Sequence, residues 1–274
     1  MSLGVAFKGP EGIVLAADSR VTLLAERAGD RKLIPATFDN ATKLLFVKAQ
    51  QNVGAVTYGL GALGAGQPRT AHSFLPEFEE ELRREGPERQ SVEDFARGLS
   101  NFFLRQWGEQ GMPEAAGYTG EPMIFLVGGY DEGAAYGRVF DFFIPQRPQP
   151  VEQHANDFGI TWGGQRTYAE RLINGYDTEL PARIARHLEL DAEGARALEV
   201  FLRQNFGTPI PYQFLPLQDC IDLSVFIIRT TMQIQTWTVG VRGVGGAIDV
   251  ATVTRVAGLS ALKTKEVSGD RFAS

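Results

Sequence analysis

The chain has 274 residues, 43% of them hydrophobic and 22% charged, enough apolar content for a substantial core and a globular fold. A net charge of -6 without any Lys/Arg-rich run argues against a nucleic-acid partner, which needs a clustered basic surface. Its single cysteine, Cys220, excludes an internal disulfide framework and a cysteine-based zinc site, and reads as a small buried apolar residue. The three histidines, His72, His154 and His187, are scattered without metal-ligand spacing, so neither a metal nor another cofactor is expected. The first residues lack the features of a signal peptide, and charges or glycines interrupt the apolar runs before membrane-spanning length. We therefore expect a cytoplasmic protein with no membrane partner.

In chain order, alternating apolar and small residues pause at Gly9-Pro10-Glu11-Gly12 and resume at Ile13, which predicts a β-hairpin. Two more strands follow in "ATKLLFVKAQQNVGAVTYG", joined by a polar turn. The pattern becomes helical from about Gly64 to Glu85, and again in "SVEDFARGLSNFFLRQW", where Ser91 is placed to cap and Asp94 sits three residues on. The aromatic residues of this second helix predict a packed face. "EPMIFLVGGYDEGAAYGRVFDFFIP" reads as a further hairpin with Asp131-Glu132-Gly133 at its tip. Helical stretches then run from about Gln165 to Asn205, broken near Pro181, and from about Leu217 to Gln235; "AIDVATVTRVAGLSALKTKEV" closes with one or two strands. Strands and helices in blocks indicate an α+β fold with helices layered on antiparallel sheets. No repeat or long linker divides the chain, so one domain over 1–274 is expected.

The first hairpin carries the candidate chemistry. A three-residue loop, Gly9 to Glu11, would place Lys8 opposite Gly12 and Ser2 opposite Asp18, with Cβ atoms roughly 4.5 to 5.5 Å apart. A hydroxyl on a terminal residue suits nucleophilic attack, because the α-amine, titrating near pH 8, can take its proton. The plainer alternative is a polar strand end.

The segment "AFKGPEGIVLAADSR" resembles the opening of proteasome β subunits. "TKLLFV", "GAVTYG" and "GGAIDVATVTR" resemble later segments of that family in the same order. The resemblance implies an N-terminal-nucleophile hydrolase with a four-layer αββα sandwich of two antiparallel sheets, and sequence additional to the family around 180–215. It implies that Ser2 is the nucleophile, that Asp18 and Lys43 are its acid and base partners, and that the Gly59 amide stabilises the oxyanion. A Lys43 ammonium near the terminal amine would favour its neutral form. Arg20 would support the charge network, and Thr22 and Thr57 would line the substrate cleft. Implied partners are copies of the chain itself in a homo-oligomer and a peptide or unfolded protein substrate; an ATPase or other regulatory partner is left open.

Several positions depart from that pattern. Serine stands where threonine is usual and lacks the methyl group that restricts the rotamer. The family's "GSGS" falls on "WGGQ", bringing its hydroxyl position to Gly163, and its "D-x-x-S-G-G" falls on Val241 to Gly246, with Val241 and Val244 replacing the polar pair. Ser2 also requires removal of Met1, because an amide nitrogen is no base. Two further readings stay open: an inactive assembly or regulatory unit, and a hydrolase of small amides on the same fold. Gly59-Leu60-Gly61-Ala62-Leu63-Gly64 matches a dinucleotide fingerprint, but the following "FLPEFEEELRREG" is helical and charged where a second parallel strand is required.

Overall fold

A computed structural model describes residues 2–26, 33–64, 67–86 and 89–264. The opening hairpin consists of β1 (Leu3–Lys8) and β2 (Ile13–Asp18), closed by Gly9 N–H donating to Gly12 O at 2.9 Å. Its loop has four residues and Lys8 faces Ile13, one step from the expected register. Continuing that register sets Ser2 across from Ser19, not Asp18, because side chains alternate faces along a strand. Every position of both strands is buried, since both faces are covered. Leu3, Val5 and Phe7 join a cluster with helical residues, while Ala6, Ile13 and Leu15 meet a second sheet.

β3 (Val21–Glu26) and β4 (Leu33–Phe38) form a hairpin that sequence patterning missed. β5 (Leu44–Leu45) and β6 (Val53–Gly59) follow as expected. Residues 71–74 make a single tight helical turn before α1 (Leu75–Glu85), so the helix starts well after Gly64. In α2 (Val92–Glu109), Ser91 Oγ accepts from Asp94 N–H at 3.0 Å, the predicted cap. Phe95, Phe102, Phe103 and Trp107 are buried on one face, which also bears out the aromatic stripe as packing.

β7 (Met123–Gly129) and β8 (Arg138–Ile144) form the predicted hairpin. β9 (Arg147–Gln153) was not predicted: two prolines break its pattern, which an edge strand tolerates. β10 (Gly159–Gly164) pairs with β1, a long-range partnership that local patterning does not report. The helical region resolves into α3 (Thr167–Ile173), α4 (Leu180–His187) and α5 (Ala192–Phe206), with the expected break at residues 174–179 and Pro181 in the first turn of α4. α6 (Leu217–Trp237), β11 (Ile248–Thr254) and β12 (Gly258–Lys263) complete the described elements.

The fold class therefore needs correction. Instead of a four-layer αββα sandwich of two sheets, the described residues form three antiparallel sheets and six α-helices. The sheets run β10-β1-β2-β11-β12, β5-β6-β7-β8-β9, and β3-β4 on its own. α1 and α2 share a core with the second sheet, and α6 shares one with the first. A third cluster, including Ala6, Leu15, Val56 and Leu126, joins the two large sheets. α4 and α5 pack chiefly on one another outside these clusters. Because β6 is antiparallel to both neighbours, the dinucleotide reading also falls.

Candidate active site

The end of β2 brings a carboxylate to the start of β1. Asp18 is fully buried, and Lys43 Nζ lies 2.6 Å from its Oδ1. The same oxygen accepts from Leu3 N–H at 3.0 Å, while Oδ2 accepts from Arg20 N–H at 3.1 Å and Gly245 N–H at 3.0 Å. Four donors thus surround one carboxylate, which an ionised acceptor-only group can satisfy. Asp18 comes to Lys43 through this cage, even though the register denies it the cross-strand place opposite Ser2.

Ser2 is buried, with Oγ 3.4 Å from Arg20 O, and its carbonyl accepts from Gln165 N–H at 2.8 Å. Met1, whose removal the serine chemistry requires, lies outside the described residues. Ser2, Lys43, Thr57 and Gly59 line one cavity of about 20 Å³, together with Val21 and Gly61. That is room for about one water. Val21 packs tightly on Gly61, so the β3–β4 hairpin forms part of the wall.

Gly59 ends β6 with φ +84°, and a Cβ there would overlap Pro122 O. Only glycine fits that backbone. Thr57 N–H donates to Lys43 O at 3.0 Å; alternate amides of a strand share an edge, so the Gly59 amide points to the side where β5 has ended. Thr57 Oγ1 donates to Ile124 O at 3.1 Å, which anchors it in the wall. Thr22 is not among the lining residues; its Oγ1 sits 3.4 Å from Thr37 Oγ1 across the hairpin. Arg20 grips Asp39 with two bonds, 2.6 and 2.8 Å, and donates to Arg242 O at 3.1 Å. This pair holds the Asp39 carboxyl below its usual range, chiefly through the hydrogen bond from Arg20.

Sequence reasoning missed two contributors. The segment from Val241 to Gly246 reaches Asp18 by the Gly245 backbone amide instead of a side chain. Tyr58 is buried, and its ring lies across the paired Gly4 and Gly163: a Cβ at either glycine would overlap it. Burial first, then the charge of Asp141, pushes its phenol well above the usual value. The signal available was the pair of glycines on strands otherwise rich in side chains.

A pair of large antiparallel sheets with helices against them, and a cavity at the first strand, defines the structural class. Solved Anbu chains share it. The Anbu (Gly-1) mutant from Hyphomicrobium sp. strain MC1 matches with a TM-score of 0.54 and 17% identity over 98% of this chain and 88% of that one. The Anbu complex from Pseudomonas aeruginosa, solved as a helical assembly, matches with a TM-score of 0.55 and 18% identity over the same shares. At these identities the likeness is one of fold. No protein-family model and no curated protein matches the chain.

These matches correct the resemblance to proteasome β subunits. It rested on short strand and turn segments, whose patterns report a shared backbone course more than family membership; the fold found is that of Anbu. Among the described residues, no helix is long and apolar enough to cross a membrane.

Proposed function

We propose that this chain is an N-terminal-nucleophile hydrolase of peptide amide bonds that works as an assembly of its own copies. Once Met1 is removed, the Ser2 α-amine takes the proton from Ser2 Oγ as that oxygen attacks the carbonyl carbon. Lys43, fixed by Asp18, lies beside this step and favours the neutral amine. The Gly59 amide donates to the developing oxyanion, a contribution of about 3 kcal/mol for one such donor. The protonated amine then returns its proton to the leaving nitrogen, and water releases the acyl group by the same route. Thr57 forms part of the substrate wall, while Arg20 positions the chain around Asp18.

The observation that carries this reading is one cavity lined by Ser2, Lys43 and Gly59, with Lys43 ion-paired to a fully buried Asp18. Self-association is supported by the helical assembly in which the Pseudomonas aeruginosa Anbu complex was solved. Intact mass tests the first requirement: the functional protein should lack Met1. A peptide vinyl sulfone should then label the wild type and leave Ser2→Ala unlabelled. Equal labelling of both would overturn the assignment of Ser2; no labelling of a Met1-cleaved protein would favour a non-catalytic assembly unit.

A further inference from the structure

We propose that the arm formed by α4 and α5 is a docking element for a second copy of this chain. The proposal rests on the self-association reading above and names the surface responsible.

The arm is not explained by its own packing. α4 has 8 residues and none is buried; α5 has 15, of which only Leu202 is buried. Helices near or below about 12 to 15 residues are marginal alone in water and take their stability from packing an apolar face. Ile184, Leu198 and Leu202 are at least partly covered where the two helices pack, but a second apolar set stays open: Leu188 is 59% exposed, Val200 52%, Phe201 55% and Phe206 52%. The Phe201 and Phe206 rings meet edge to face at 6.1 Å, so they make one surface. Between the two helices and residues 174–178 remains a cleft of about 650 Å³, which the arm does not close by itself.

The size of this surface points to a protein. Two half-exposed phenylalanines offer about 200 Å² between them, and the neighbouring aliphatic side chains a similar amount. A standard interface buries about 800 Å² per partner, a little over half of it apolar, so the arm supplies most of the apolar area that one such contact needs. Charge is compatible with a copy of itself. From Leu180 to Phe206, four arginines balance four acidic residues, although the whole chain carries -6. The arm thus meets a like-charged molecule without a repulsive patch of its own.

Sedimentation velocity of the full chain at micromolar concentration tests this. The wild type should sediment as a multiple of the 30.0 kDa chain. Phe201→Glu combined with Phe206→Glu should weaken association at least about tenfold, as expected when clustered aromatic anchors are lost. Val200→Arg should act in the same direction. Val256→Glu, at a position 97% exposed in the β11–β12 turn, should leave assembly unchanged. Unchanged near-UV circular dichroism would show that the sheet core of each variant is intact. A monomeric wild type would overturn the self-association reading and this proposal with it. An assembled wild type whose mass is unmoved by the arm variants, or moved as much by Val256→Glu, would overturn the docking role alone.

Discussion

Lys43 Nζ and Asp18 Oδ1 stand 2.6 Å apart with both side chains almost wholly shielded from water. Such a pair is costly to break from one side, because the survivor is left as a buried charge. Lys43→Ala should therefore destabilise the fold by about 3 to 5 kcal/mol. Lys43→Met, which keeps the length of the side chain, should still lose probe labelling at Ser2. Urea midpoints and labelling, measured together, separate the two effects; full labelling of Lys43→Met would remove Lys43 from the proposed chemistry.

Gly59→Ala makes a sharper demand on the backbone. The φ of +84° and the nearby Pro122 carbonyl leave no room for a methyl group. The substitution should cost about 1 to 3 kcal/mol in strain. It should also shift the amide aimed past the end of β5 and sharply reduce labelling by the vinyl sulfone. Gly61→Ala, which meets a Val21 methyl group instead of a backbone carbonyl and sits outside the positive-φ region, should be the milder change in a parallel denaturation series.

The sequence announced the residues around this cavity better than their geometry. Ser2, Lys43, Thr57 and Gly59 do meet, because each lies within two residues of the end of a buried strand. Asp18 arrives by a route that the hairpin pattern does not show: one extra loop residue moves the register, and hydrogen bonds from three separated amides hold the carboxylate. The β3–β4 hairpin, β9 and β10 escaped notice for different reasons. β9 contains Pro148 and Pro150, while β10 owes its place to β1, more than 150 residues earlier in the chain. Thr22 belongs to a hairpin whose pairing sets its hydroxyl beside that of Thr37, a contact that local patterning does not report. Gly245 and Tyr58 could not be found by looking for polar side chains, since one acts through its amide and the other fills space over glycines.

The relation between Tyr58 and Gly163 predicts size complementation. Gly163→Ser should be destabilising by about 1 to 3 kcal/mol, because the added Cβ falls on the Tyr58 hydroxyl. Tyr58→Ala leaves a void between the sheets and should cost about 3 to 5 kcal/mol. Combined, the two should be less damaging than their sum. A double-mutant cycle by chemical denaturation checks this, and strict additivity would show that the two positions do not compete for the same space.

Cys220 offers a chemical readout of the core. It is buried beneath the start of α6, and burial is the main reason its thiol is pushed up to about 11. At pH 8 the native protein should therefore react with iodoacetamide far more slowly than the unfolded chain, in which a thiol titrates near 8.5. Rapid native labelling, followed by mass spectrometry, would contradict the packing of this helix.

Acid should act on the Arg20–Asp39 pair in a defined pH window. The Asp39 carboxyl is lowered first by the hydrogen bond from Arg20, against a partial desolvation cost. A carboxyl with a lowered folded value contributes stability that is present above its unfolded value, near 3.9, and disappears as pH falls through the folded one. Asp39→Asn should therefore be less stable than wild type at neutral pH, and the difference should close only below about pH 4. Because Asp39 is 45% exposed at its side chain, the gap should be small and should shrink with salt. Thermal midpoints from neutral pH down to pH 3, with and without added salt, measure it. A gap that stayed constant through acid would mean that Asp39 holds the segment by shape instead of charge.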